Sequence, residues 1–171
     1  GALKTNNLFS SNQPNPKSLS NIPNLVTVSR LDKNKRIDII IKALKILRDN
    51  GNTFSFTICG TGPARKELES LVKNYKLEDS ISFLGYIPEK DILNLYKEMD
   101  LFITVDWADY RITTYEVLLH NKKLIVSDDT DIDDWLLNSG YLMYSAPNEK
   151  DLAIQIKKSL QSKVNCTNDD L

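Results

Sequence analysis

Histidine occurs once in the 171 residues, cysteine twice, and glycine and proline six times each. The cysteines, Cys59 and Cys166, lie far apart, one in an apolar run and the other in a polar tail. Neither a disulfide framework nor a metal-ligand spacing is suggested. Charge of one sign is not in excess: 22 Lys and Arg against 23 Asp and Glu leave a net charge of −1. That argues against a general nucleic-acid binder, which carries a basic surplus. No apolar run approaches the ~20 residues of a membrane-spanning helix, and no secretory leader opens the chain. The expectation is a reducing, cytoplasmic setting, without membrane span or nucleic-acid partner.

The chain has an ordinary apolar share, 41%, and a length suited to one domain with its own core. Residues 1–21 are polar and rich in Asn and Ser, and read as a linker. Residues 161–171 lack an apolar period and read as a frayed tail. Between them, residues 22–160 alternate short apolar runs with amphipathic stretches. "NLVTVSRL" reads as a strand, and Ile37, Ile40, Ile41, Leu44 and Leu47 follow at helical spacing up to Gly51. "FSFTICGTGP" is a second strand, followed by a helix with Pro63 in its first turn and Leu68, Leu71, Val72 and Tyr75 inward. "SISFLGYIP", "DLFITVD", "KLIVSDD" and "YLMYSA" complete six strands, with helices after them, the last capped by Asn148. Asp131 reads as the cap of the short helix before it. Strands without polar alternation, each followed by a helix, predict an α/β fold: a Rossmann-like doubly wound parallel sheet with helices on both faces.

In such sheets ligand groups sit in the loops at the carboxyl ends of the strands. The first loop gathers Arg30, Lys33, Lys35 and Arg36. Cations converging there suit an anion such as a diphosphate, although a solvated turn explains them as well. "GTGP" places Gly60 and Gly62 between strand and helix, without a full dinucleotide fingerprint and with no Walker lysine after it. In "LGYIP", extended backbone at Tyr86 and Ile87 could hydrogen-bond a planar base, and Tyr86 could stack on it or simply pack. "DWADYRITTYEVLLHN" has no glycine where a phosphate loop would use one. It carries one buried-looking acid, Glu116, at the start of an apolar helix, able to accept both hydroxyls of a ribose or to stabilise the helix end. His120 marks the end of that helix rather than a catalytic base.

Taken in order, these motifs resemble the C-terminal, donor-binding domain of GT-B glycosyltransferases of family 4. "VSRLDKNKRIDIIIKAL" resembles that family's "VGRL…KG…L..A" opening, "ICGTGPARKELESL" its "GxGP…L" segment, and "ISFLGYIPEKDILNLYKEMDLFI" its "FLG…LY..AD.F" run. The family's paired glutamates are kept only in part. Glu116 stands at the second, Ala108 at the first, and Asp109-Tyr110-Arg111 replaces the glycine-aromatic-glycine turn between them. Thr130-Asp131 replaces a glycine pair, and Asn121 the glycine that ends the Glu116 helix.

The resemblance implies the donor half of an enzyme that transfers a sugar from a UDP- or GDP-sugar to an acceptor, with retention and without metal or other cofactor. Arg30 and Lys35 would hold the pyrophosphate and stabilise the leaving group as the catalytic cations. Glu116 would bind the ribose, Tyr86 and Ile87 the base, and the backbone at Gly60, Arg111, Ile112, Thr113 and Thr114 would complete the substrate site. The partners implied are the nucleotide-sugar donor and an N-terminal GT-B acceptor domain missing from this chain, so the fragment alone is expected to be inactive. The parent enzyme would work in the cytoplasm or at the inner face of a membrane. Two alternatives stay open. The altered residues 108–111 and Thr130-Asp131 suit a catalytically degenerate GT-B-like scaffold or stabilising module. A nucleotide-sugar epimerase shares the fold.

Overall fold

In the computed structural model, the described residues are 22–106, 116–118, 120–131 and 134–162. Six short apolar runs form the strands β1 (Asn24–Val28), β2 (Ser55–Cys59), β3 (Ile81–Gly85), β4 (Leu101–Thr104), β5 (Lys123–Ser127) and β6 (Leu142–Ser145). They make one sheet in the order β3-β2-β1-β4-β5-β6, and each neighbouring pair is parallel. This is the doubly wound arrangement that the strand–helix alternation predicts. The helices are α1 (Ile37–Asp49), α2 (Arg65–Asn74), α3 (Glu89–Glu98), α4 (Asp134–Leu137) and α5 (Glu149–Gln161).

The strand sequences are apolar without alternation because both faces of the sheet are covered. Successive residues of one strand serve opposite cores. Leu25, Leu101, Ile103 and Ile125 pack with Ile40, Ile41 and Leu44 of α1, Leu68 and Val72 of α2, and Leu152 and Ile156 of α5. Their neighbours Val26, Phe102, Leu124 and Val126 point the other way, to Tyr96, Met99 and Val117. The five α1 positions expected to face inward are all buried. In α2, Leu68 and Val72 are buried while Leu71 and Tyr75 are only partly so. Asn148 caps α5 as expected, its side chain accepting from the Asp151 amide at 2.9 Å. Residues 132 and 133, which the Asp131 cap would serve, lie outside the described residues. Among the described residues, no helix is long and apolar enough to cross a membrane.

One boundary differs from expectation. α2 begins at Arg65 after an Ala64 cap, so Pro63 precedes the helix instead of starting it. The reason is a backbone lacing between the first two loops: Leu31 N–H donates to Thr61 O at 2.9 Å, and Ala64 N–H to Leu31 O at 2.8 Å. Those bonds hold residues 61–64 in loop geometry until the Leu31 contact is complete. The close approach requires glycine. At Gly60 (φ 129°) a Cβ would overlap the Ser29 carbonyl oxygen, and at Gly62 it would lie 2.5 Å from Leu31 O. At Gly51 (φ 84°) a Cβ would meet nothing within 4 Å, so this position needs glycine for its dihedral alone.

Gly60→Ala is therefore expected to cost about 3 kcal/mol or more in urea unfolding, and Gly51→Ala only about 1 kcal/mol. Equal losses at the two positions would show that the loops do not depend on this approach.

Candidate functional site

The strand order reverses between β1 and β4, and the crevice outside their carboxyl ends is where a doubly wound sheet takes its ligand. The loop after β1 folds into a 3-10 turn, Lys33–Lys35, directly before α1. Lys35 is carried to the end of β4, where its Nζ lies 2.9 Å from Asp106 Oδ2. Thr104 Oγ1 donates to the other oxygen, Asp106 Oδ1, at 2.7 Å. Asp106 is buried, so its carboxylate depends on these partners.

Arg36 follows in the left-handed region, φ 52° and ψ 33°, as the N-cap of α1. The resembling opening has a Lys-Gly pair where this chain has Lys35-Arg36, and the positive φ explains why glycine suits the second position. Here a network holds the larger side chain. The Arg36 guanidinium donates to Val105 O at 3.0 Å, Ser127 Oγ at 3.3 Å, and the Asp129 carboxylate oxygens at 3.2 and 2.8 Å. Arg36 thus spans from the β1 loop across β4 to the end of β5. Its bonds to Asp129 push the guanidinium pKa further up, and they hold the Asp129 carboxyl below its usual range.

The expected site residues divide. Lys35 lies in the crevice. Arg30 does not: its side chain is 68% exposed, and its Nε donates to Asp32 at 3.1 Å. Gly60 stands at the carboxyl end of β2, its backbone against Ser29. Tyr86 follows the edge strand β3 and is exposed, and Ile87 next to it is partly buried. Glu116 opens the helical residues 116–118 and is partly exposed. Burial of the Tyr96 hydroxyl of α3, together with the negative charge of Glu116 nearby, pushes the Tyr96 pKa well up. His120 packs its ring 6.0 Å from that of Tyr96, and Asn121 ends the turn at φ 55°. Arg111, Ile112, Thr113 and Thr114, like Ala108 and Asp109, lie outside the described residues.

Two readings change. Glu116 looks buried in the sequence yet is partly exposed, and among the described residues the buried acid after β4 is Asp106. Asp129 and Tyr96 escape sequence reasoning, and Arg36, one of four cations named in its loop, could not be told from the others. One signal for Asp106 was present: an acid that directly follows the apolar run "LFITV" must find a cation or lose its charge. Elsewhere, a cavity of about 440 Å³ opens between α1 and α2, lined by Lys33, Ile37, Lys42, Leu68 and Asn74 among others. It lies on the helical flank and not between β1 and β4. No group of three or more His, Cys, Asp or Glu that could hold a metal occurs among the described residues.

The family model described as Glycosyl transferases group 1 matches residues 11–168. The putative colanic acid biosynthesis glycosyltransferase WcaL of Escherichia coli K12 is 29% identical over 79 residues, 46% of this chain and 20% of its own. The pneumococcal O-GlcNAc transferase GtfA, solved in complex with UDP and GlcNAc, superposes with a TM-score of 0.61 at 25% identity, over 82% of this chain and 28% of its own. A glycosyltransferase of Rickettsia africae shares the fold with a TM-score of 0.71 at 22% identity, over 90% of this chain and 44% of its own. The chain therefore spans less than half the length of each of these proteins.

The Arg36–Asp129 pair makes a prediction about pH. Because the folded-state pKa of Asp129 is depressed, its contribution is present above the unfolded value near ~4 and is lost as pH falls through the folded one. The unfolding midpoints of the unaltered protein and Asp129→Asn should differ at neutral pH and converge as the pH falls below the ordinary carboxylate range. A gap that stays constant throughout that acid range would exclude this ion pair as its source.

Proposed function

We propose, from the premise that this chain belongs to the group 1 glycosyl transferases, that it is the donor-nucleotide half of a transferase acting on a UDP- or GDP-sugar. The observation that carries the reading is Lys35, fixed by buried Asp106 at the reversal of strand order, where a diphosphate would lie. A lysine held there offers its remaining donors to phosphate oxygens, each charge-assisted bond contributing about 1.5–3 kcal/mol. The relative solved with UDP and GlcNAc supports UDP as the first nucleotide to test.

Glu116 serves the ribose. Its carboxylate lies near enough to Tyr96 to raise that hydroxyl's pKa, and its roughly four lone-pair positions suit a vicinal diol. Arg30 joins Lys35 on the diphosphate. It is held only by an exposed ion pair with Asp32, a contact of about 0–1 kcal/mol, so turning toward an anion costs it little. Tyr86 and Ile87 take the base, and the amides of residues 111–114 meet the phosphates. During transfer, Lys35 and Arg30 stabilise the charge that builds on the departing diphosphate, with retention at the sugar carbon and without a metal. An N-terminal domain supplies the acceptor and the second wall of the cleft, and without it this chain turns nothing over. The parent protein acts in the cytoplasm or at the inner face of a membrane.

A second reading has support of its own. Lys35 and Arg36 are each matched by a carboxylate, and Ala108 leaves the sugar side short of an acid, as a degenerate scaffold subunit would be. Calorimetric or NMR titration with UDP, GDP and ADP separates the two. The donor-site reading expects saturable binding of one diphosphate with Kd between about 0.1 mM and several millimolar. Lys35→Met should weaken it about 10- to 100-fold, and Glu116→Ala should remove it. In the two-domain parent, Glu116→Ala or Arg30→Ala should abolish transfer. Transfer at the unaltered rate in either would end the assignment of that residue, and absence of nucleotide binding in the parent itself would favour the scaffold.

A further inference from the structure

We propose that Arg36 and Asp129 form an exchangeable latch, in which the Asp129 carboxylate occupies the guanidinium until a diphosphate displaces it. The proposal rests on the reading of this crevice as a diphosphate site. It adds a cation that the reading does not contain and an internal competitor for that cation.

Three features of the geometry point to exchange. The heads of Lys35 and Arg36 are anchored on consecutive residues of the same strand end, Lys35 on the Asp106 carboxylate and Arg36 on the Val105 carbonyl. An anion that meets one is within reach of the other. Arg36 presents a two-pronged fork, with one nitrogen 3.2 Å from Asp129 Oδ1 and the other 2.8 Å from Oδ2. Planar bidentate donation of that kind suits two phosphate oxygens as well as a carboxylate. The second nitrogen makes no other bond among those described, so an incoming oxygen would take over its whole contact.

The third feature is an asymmetry between the two ion pairs. The Asp106 side chain is only 6% exposed, so losing Lys35 would leave a buried, unpaired carboxylate. That pair is fixed. The Asp129 side chain is 38% exposed and Arg36 21%, so a released Asp129 carboxylate can turn to water, and it keeps a hydrogen bond from the Ser127 hydroxyl. Arg36 meanwhile stays in place through Val105 O and Ser127 Oγ. Exchange strands no charge on either side. It also loosens residues 128–131, whose other tethers include Thr130 Oγ1 to Ser127 O at 2.6 Å and the Asp128 amide to Ser145 O at 2.9 Å. Anion binding at β1 and β4 is thereby coupled to the loop after β5.

A latch and a strut differ in sign. If Asp129 competes with the anion, Asp129→Asn in the 171-residue chain should tighten binding of inorganic pyrophosphate and of UDP about 3- to 10-fold, while Arg36→Lys weakens both. If Arg36–Asp129 only braces the crevice, both variants should weaken binding together with stability. Unchanged or weaker binding in folded Asp129→Asn, with binding by the unaltered protein still weakened about 10- to 100-fold in Lys35→Met, overturns the latch and leaves the diphosphate site standing. Absence of binding by the unaltered protein and by Asp129→Asn alike overturns both. A readout independent of any variant is the NMR signal of the Arg36 guanidinium: displacement by saturating pyrophosphate supports exchange, and a signal that stays put overturns it.

Discussion

The buried carboxylate of Asp106 is the constraint around which this end of the molecule is arranged. An ionised acid under a loop must be paired, or it takes up a proton and ceases to be a charge. Lys35 and Thr104 meet that demand, one from the loop after the neighbouring strand β1 and one from the last residue of β4. The partnership pins the β1 loop over the end of β4 at the place where strand order reverses. Arg36 then has little freedom. With Lys35 committed to Asp106, the next residue turns into left-handed backbone and sends its guanidinium across β4 to β5. Two adjacent residues thus bolt three adjacent strands together at their carboxyl ends.

The result is a crevice that contains cations yet carries little net charge. Lys35 faces Asp106 and Arg36 faces Asp129, so the described ends of β1, β4 and β5 are nearly balanced. Such a site holds its positive groups in position at modest electrostatic cost while no anion is present. It also competes with any anion that arrives. Which counterion can yield is decided by solvation: Asp129 can reach water and Asp106 cannot.

Below this surface the sheet is conventional, and the convention does positional work. Alternate residues of each strand feed separate cores on the two faces, so no strand can shift by one residue without inverting its contacts. Laced backbone between the first two loops, made possible by Gly60 and Gly62, sets the height of the β2 loop beside β1. Tyr96 lies between one of these cores and the site, since its ring packs edge-on against Phe102 and its buried hydroxyl feels the charge of Glu116.

Much of the architecture was legible in the sequence. Uninterrupted apolar runs followed by amphipathic stretches specify a parallel sheet covered on both faces, and the inward face of α1 could be named residue by residue from its spacing. The ordered motifs from "VSRL" to "MDLFI" identified the family. Local order sufficed there because periodicity and motif spacing are properties of neighbouring residues. The site was legible only as a set of candidates. Four cations in "SRLDKNKR" look alike along the chain, and nothing local says that Lys35 and Arg36 turn into the crevice while Arg30 stays at the surface with Asp32. Nor could the chain order reveal that Asp106, 71 residues from Lys35, and Asp129, 93 residues from Arg36, are their partners. Pairing between charges so distant in sequence is set by which strand ends the sheet brings side by side, and that the tertiary structure alone decided.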